Sequence, residues 1–241
     1  MCKIIKSAVT GRGHLRQELP CQDKVFSLEA FGVRSAALAD GAGSAGLSHF
    51  GAETVSEEVC RLLTERFEDF YHEEDGVKVK ETILLRLHQK LQEQAEALGG
   101  TLQDLASTLL FVAVSEGRYI LGHLGDGVIG YLAGDRLKVA SEPDNGEFAN
   151  ETVFVTSSAS LKSLRLMRGQ LDKIQGFVLM SDGSEASLYD KQRKELAPVL
   201  GNIMGMMTTV SQEELQRRLQ ESMENVVRQK TQDDCSLVIF M

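Results

Sequence analysis

The stretch Ser35-Ala36-Ala37-Leu38-Ala39-Asp40-Gly41-Ala42-Gly43-Ser44 runs from an apolar strand into one carboxylate and then into backbone that glycine makes cheap. Alone, an Asp-Gly pair after a hydrophobic run reads as a hairpin turn, because glycine accepts positive φ and aspartate favours turns. The arrangement recurs, however. Leu124-Gly125-Asp126-Gly127 and Leu179-Met180-Ser181-Asp182-Gly183 repeat it, and Asp233-Asp234 stands just before the apolar run Leu237-Val238-Ile239-Phe240. Acids at four strand ends are a pattern.

Strand ends can meet on one rim of a folded sheet, where unpaired carboxylates repel one another and raise each other's pKa. A cation removes that penalty. Aspartates, glycine carbonyls and water are hard oxygen ligands, which suit Mg²⁺ or Mn²⁺ better than zinc.

The 241 residues suffice for one large domain with a full core, and residues 1–241 are read as a single catalytic domain. A formal net charge of −9 argues against a general binder of nucleic acid or anionic membrane, while a bound metal can still reverse the sign locally. Cys2, Cys21, Cys60 and Cys235 form no Cys-x-x-Cys pair and read as reduced thiols. No stretch reaches the roughly 18 apolar residues of a membrane span, and no apolar leader region is visible, so a cytoplasmic protein is expected.

Outward from the Asp40 stretch, residues 3–9 and 24–40 read as strands, the second interrupted near Gly32, joined by a donor-rich loop over 11–23 that contains Arg12, His14 and Arg16. Apolar spacing of three and four predicts a helix from Leu47 to Phe70. An acidic break at 73–76 follows, then a second helix through Ile83, Leu87 and Leu91, closed by Gly99-Gly100. Residues 107–115 and 118–124 read as a hairpin turning at Glu116-Gly117, and 128–132 with 136–139 as another around Gly134-Asp135. Gly125-Asp126-Gly127-Val128-Ile129-Gly130 fits a dinucleotide fingerprint, but that chemistry needs a helix to start there, and these residues predict a strand.

Residues 141–172 read as an irregular excursion, with a turn over 141–146 and a short strand over 152–156. Lys162, Arg165, Arg168 and Lys173 make it locally basic, a solvated face with phosphopeptide contact as the sharper alternative. Asn150-Glu151-Thr152 matches a glycosylation acceptor by chance. Residues 176–181 predict a buried strand and 191–200 a helix ending at Gly201. Ser211-Gln212-Glu213-Glu214 forms a capping box opening a helix whose Leu215, Leu219, Met223 and Val226 face inward. Strand pairs, a helical pair, more hairpins and a late helical block imply segregated α+β layers.

The ordered segments Gln22-Asp23, Asp40-Gly41, Ser107-Thr108-Leu109-Leu110, Gly125-Asp126, Gly146-Glu147-Phe148-Ala149-Asn150-Glu151-Thr152, Ser181-Asp182-Gly183 and Asp233-Asp234-Cys235-Ser236 together resemble the metal-dependent protein phosphatase 2C family, particularly its small bacterial members. The resemblance spans nearly the whole chain and implies a four-layer α-β-β-α sandwich of two antiparallel sheets flanked by helices. It implies that Asp40, Asp182 and Asp233, with the Gly41 carbonyl, coordinate two Mg²⁺ or Mn²⁺ ions, and that Asp23 holds a metal-bound water. Asp126, with Glu185 as a helper, is similar to the family's ligand for a third, weaker ion. Gln22 stands where relatives often have glutamate.

Two departures stand out. The family's Asp-Gly-His-Gly-Gly segment reads Asp40-Gly41-Ala42-Gly43-Ser44 here, so the histidine proposed to protonate the leaving alcohol is missing, and His14 is the candidate substitute. The phosphate-binding arginine has no direct match; Arg12 and Arg16 are the nearby candidates. The activity implied is hydrolysis of phosphoserine or phosphothreonine by a metal-activated water without a covalent intermediate. Its partners are then a phosphoprotein substrate and, as a candidate, an opposing serine/threonine kinase. The alternatives are a catalytically silent member of the fold that binds phosphoproteins or regulates a kinase, and a hydrolase of small phosphate esters with the same metal site.

Overall fold

A computed structural model describes residues 3–143 and 152–241. The segment 146–151, the end of the turn expected over 141–146, and the Asn150 acceptor lie outside the described residues. In chain order the strands are β1 (Ile4–Val9), β2 (Lys24–Ala30), β3 (Val33–Ala39), β4 (Leu109–Ser115), β5 (Arg118–Leu124), β6 (Val128–Ala133), β7 (Arg136–Ser141), β8 (Arg165–Gln170), β9 (Ile174–Met180), β10 (Tyr189–Asp190), β11 (Glu195–Leu196) and β12 (Cys235–Phe240). The α-helices are α1 (Arg12–Arg16), α2 (Ser48–His72), α3 (Gly76–Leu98), α4 (Ser160–Ser163), α5 (Asp182–Leu188), α6 (Pro198–Met206) and α7 (Gln212–Ser222).

Two five-stranded antiparallel sheets form, one in the order β1-β12-β9-β6-β7 and the other β2-β3-β4-β5-β8. Their facing sides share a core in which Ala36, Leu38, Leu110 and Val112 of the second sheet meet Phe177, Leu179, Val238 and Phe240 of the first. The strands carrying both faces inward, β4 and β12, are buried throughout and apolar but for Ser115 and Ser236, as sheets covered on two sides require. Helices α2 and α3 cover the second sheet through Val55, Leu63, Phe67, Ile83 and Leu87, packed on Ala37, Phe111 and Ala113. Leu200, Met204, Leu215 and Leu219 of α6 and α7 cover the first through Ile5, Val178 and Ile239. This is the expected α-β-β-α sandwich. Among the described residues no helix is long and apolar enough to cross a membrane.

The turns follow from local chemistry. Phe31-Gly32 and Glu116-Gly117 both hold positive φ at two successive residues, the twist that joins antiparallel strands tightly. Gly99 caps α3 in the left-handed region, and Asp75 opens that helix by accepting from the Val77 amide at 2.9 Å. Residues 128–133 are a strand, so the Gly125–Gly130 run lacks the helix a dinucleotide cradle needs.

Five expectations are corrected. Residues 152–154 adopt no regular structure, whereas Arg165–Gln170 forms β8, an edge strand along β5 inside the span expected to be irregular. Its polar, half-buried residues hide the usual alternation. The helix expected over 191–200 is a turn between β10 and β11, and the true helix begins at Pro198, whose fixed φ suits a first helical turn, and runs through Gly201. Asp182 starts a helix, α5, that was not expected. After α7 a π-helical turn over Met223–Val227 inserts one residue into the helical period, so Val227 is buried and Val226 is 58% exposed.

Candidate active site

Strand β3 carries Asp40 out of the second sheet, where the Asp40 amide donates to Thr108 Oγ1 at 3.0 Å and the Thr108 amide returns a bond to the Asp40 carbonyl at 2.8 Å. Gly41 pairs with Ser107 across an isolated bridge, and its amide donates to the Gln22 carbonyl at 3.2 Å. A β-carbon on Gly41 would come within 2.9 Å of the Ser48 backbone, so the start of α2 can close on this turn only over a glycine. Asp23 precedes β2, whose Lys24 is opposite Ala39, which brings Asp23 beside Asp40.

The first sheet supplies the other acids. Strand β9 ends at Ser181, whose hydroxyl accepts from the Ser236 amide of β12 at 3.0 Å, and Asp182 follows as the first residue of α5. A β-carbon on Gly183 would stand 1.9 Å from the Asp234 carbonyl, so glycine permits the approach of α5 to the Asp233-Asp234 turn. Asp233 itself is exposed, and its Oδ1 accepts from the Asp234 amide at 2.9 Å.

Charge ties these positions into one cluster. Asp40 has its pKa raised well above the usual carboxylate range, by burial first and then by Asp23, Asp182 and Asp233. Asp182 is pushed up to about 6 by burial, Asp126 and Asp233. Asp23, 1% exposed, is pushed up to about 7, chiefly by burial, with Asp234 adding to it. The Ser181 and Ser236 hydroxyls offset part of that penalty, yet both Asp23 oxygens and Asp182 Oδ1 are buried without a hydrogen bond of good geometry. Such orphaned anionic oxygens are costly unless a cation meets them.

That observation fits a hard divalent ion, and the donors available are all oxygen. Among the described residues, no group of three or more His, Cys, Asp or Glu side chains is set to hold a metal ion: the acids are gathered without being closed on one point. Asp126 lies to one side in the β5–β6 turn, its Oδ2 accepting from Thr152 Oγ1 at 2.6 Å. Its charge reaches Asp182 and Glu185. Glu185 is 2% exposed and pairs with Lys191 at 2.9 Å.

The basic candidates divide. His14, on α1, makes a 2.9 Å bond from Nδ1 to Asp234 Oδ2. Arg12 Nε donates to the Thr231 carbonyl at 2.9 Å, and Arg16 is exposed with no hydrogen bond or ion pair among the described residues. Among the described residues no hydrogen bond or ion pair ties either guanidinium to the acids. Arg168 is spent on structure: its Nη1 donates to the carbonyls of Phe70, Tyr71 and Glu73 at the end of α2. Burial, then Asp23 and Asp234, raise the Cys21 thiol pKa, which keeps it protonated and a poor nucleophile.

The sequence reading missed Asp234. It is 1% exposed and accepts from the Gly11 and Gln22 amides at 2.6 Å each, besides His14. The doubled acid before β12 was the only signal, and nothing in it says which of the two turns inward.

Comparison with known proteins comes to the same place. A family model described as "Protein phosphatase 2C" matches residues 10–224. Serine/threonine-protein phosphatase 3 of Escherichia coli (strain K12) is 26% identical over 182 residues, 73% of this chain and 72% of the relative. Among solved structures, a bacterial serine phosphatase superposes with a TM-score of 0.66 at 14% identity, covering 100% of this chain and 97% of that one. PppA, described as a key regulatory component of T6SS in Pseudomonas aeruginosa, gives 0.64 at 18% identity, covering 99% and 96%. At these identities the structural likeness speaks for the fold.

Proposed function

The chain belongs to the protein phosphatase 2C family, and from that premise we propose that residues 1–241 form one catalytic domain that hydrolyses phosphoserine and phosphothreonine in proteins with the help of divalent metal. The observation that carries this reading is the raised pKa of Asp40, from burial and then from Asp23, Asp182 and Asp233, beside the buried oxygens of Asp23 and Asp182 Oδ1 that no hydrogen bond meets. Asp40, Asp182, Asp233 and the Gly41 carbonyl would hold two Mg²⁺ or Mn²⁺ ions, Asp23 would hold a bound water, and Asp126 would serve a third ion.

When bound, such ions supply a water of lowered pKa for in-line attack and neutralise charge on the phosphoryl oxygens. The chain's own contributions are distinct. Asp40, fixed at both its amide and its carbonyl by Thr108, holds the centre of the acid cluster in place. Asp23, buried beside it, would hold a water at the site. His14 is the imidazole available to donate a proton to the departing serine or threonine oxygen. Cys21 stays a thiol, so a covalent cysteinyl-phosphate path is not supported. The likeness to the Escherichia coli phosphatase supports the substrate class, and an opposing serine/threonine kinase in a cytoplasmic setting is part of the same proposal.

The test is phosphate release from phosphoserine and phosphothreonine peptides by purified protein titrated with Mn²⁺, beside a panel of phosphorylated metabolites. Metal-dependent turnover of the peptides, lost in Asp40→Asn, is expected. Tight Mn²⁺ binding without turnover of anything would make the protein a silent binder of phosphoproteins, and turnover confined to metabolites would reassign the substrate.

A further inference from the structure

We propose that Asp234 is a positioning residue that forms a carboxylate–imidazole pair with His14 and so aims one ring nitrogen as proton donor to the leaving oxygen; the proposal rests on the phosphatase reading above.

Asp234 sits immediately before β12 with 1% of its surface exposed. Its Oδ1 takes the Gly11 amide, and its Oδ2 takes the Gln22 amide and His14 Nδ1. The two amides already staple both ends of the 11–22 loop to the segment before β12, one on each carboxylate oxygen. The imidazole bond is additional. Helix α1 has five residues, none of them buried, so no core packing accounts for it. What it does is present His14: Gly13 donates to the Gln232 carbonyl at 2.8 Å, and a β-carbon there would come within 2.9 Å of that oxygen, so the helix lies against the segment that leads into β12.

The pair leaves His14 with a defined chemistry. With Nδ1 donating to a buried carboxylate, proton exchange is left to Nε2, which has no hydrogen-bond partner among the described residues. The side chain is 18% exposed, covered but open at one edge. The pair also abuts the acid cluster, since Asp234 raises the pKa of Asp23 and bonds the amide of neighbouring Gln22.

The step balances simply. Water oxygen bonds to phosphorus, the bond from phosphorus to the serine oxygen breaks with its electron pair on that oxygen, and the Nε2 proton of the imidazolium passes to it. The proton released by the attacking water goes to solvent, from which His14 is recharged. Asp234 keeps its bond to Nδ1 and so holds the ring in place through the transfer. A second imidazole, His49 at the start of α2, lies tilted against Phe50 with ring centroids 4.1 Å apart and has no carboxylate bonded to it among the described residues, so it is the natural control.

The experiment compares a phosphoserine peptide, whose alcohol must be protonated to leave, with 4-nitrophenyl phosphate, whose phenolate leaves unaided. For His14→Gln and Asp234→Asn, kcat/KM on the peptide should fall by about 10²–10⁴-fold, at least tenfold more than on the aryl ester. The double variant should be no worse than either single one within about threefold. His49→Gln should change both substrates equally. Equal losses on the two substrates, or additive losses in the double variant, would overturn the proposal while the phosphatase reading stood. Wild-type protein that turns over neither substrate with Mn²⁺ would overturn both. Should Asp234→Asn fail to fold, long-range ¹H–¹⁵N spectra of the wild-type neutral ring decide: the proton is expected on Nδ1, and the reverse tautomer would sink the pairing.

Discussion

Asp40 and Thr108 are bound to each other twice, amide to hydroxyl at 3.0 Å and amide to carbonyl at 2.8 Å, so the central acid of the site is held by the residue that leads into β4. The methyl of Thr108 faces Gly125, where a β-carbon would come within 2.5 Å of it, and the same residue thus sets the turn that carries Asp126. Thr108→Val keeps the shape and deletes the acceptor, leaving the Asp40 amide without its partner. Urea unfolding should show a loss of about 1–3 kcal/mol with an unchanged m-value. An unchanged midpoint would mean that water replaces the hydroxyl at no cost.

Asp40→Asn should separate function from stability. Because burial and three neighbouring acids hold the Asp40 pKa well above its ordinary value, the ionised side chain works against folding at neutral pH in metal-free protein. The amide should raise the metal-free midpoint of urea unfolding while abolishing turnover. A variant that lost both activity and stability would show that the Asp40 charge is already compensated within the chain.

The same acids set a pH dependence. Asp23 and Asp182, raised to about 7 and about 6, contribute their full stability only below the unfolded carboxylate value and lose it as pH rises through the folded values. Metal-free protein should therefore weaken between about pH 4 and pH 7, a loss that saturating Mn²⁺ reverses by favouring the ionised forms. Thermal unfolding with and without Mn²⁺ should show a larger stabilisation near neutrality than near pH 5. Equal shifts at both would count against a cation held by these groups.

His123 opposes that trend from the acid side. Fully enclosed in β5, hydrogen-bonded from Nε2 to the Gly125 carbonyl at 2.9 Å, it is pushed down to about 3 by burial and then by Arg165. A depressed histidine gives stability that is present above its unfolded value near 6.5 and is lost as pH falls toward 3. His123→Phe should flatten the acid limb, whose depth for this group is on the order of a few kcal/mol, whatever it does to stability at pH 7. An acid limb of unchanged slope would place the titrating group elsewhere.

Arg168 tests a reading that the fold redirected. Three carbonyls at the end of α2 take its guanidinium, which leaves little for a phosphopeptide. Arg168→Ala should cost about 2 kcal/mol by urea unfolding and leave KM for a phosphopeptide within about twofold. A large rise in KM with stability intact would restore the recognition role.

What could be read along the chain was whatever depends on near neighbours. Helix α2 declares itself by apolar spacing, the Glu116-Gly117 turn by its need for positive φ, and the acids by ending apolar strands. The site acids were legible as candidates for the same reason, since a carboxylate after a buried strand has only the sheet rim to occupy. Val226 was misplaced because a π-turn changes the helical period without leaving a mark in composition. Strand β8 was missed because its place beside β5 supplies hydrogen bonds that no pattern of its own polar residues announces.

By itself, then, the sequence determined the layered α+β architecture, the hard oxygen character of the site and the acids that could build it, because periodicity and side-chain chemistry are local properties. Only the tertiary structure decided that Asp234 rather than its neighbour turns inward to take His14, and that Arg168 closes a helix. Those choices depend on which distant backbone amides and carbonyls arrive unpaired at the same place: a buried group takes the partner that packing brings within about 3 Å, and packing is settled by the whole chain at once.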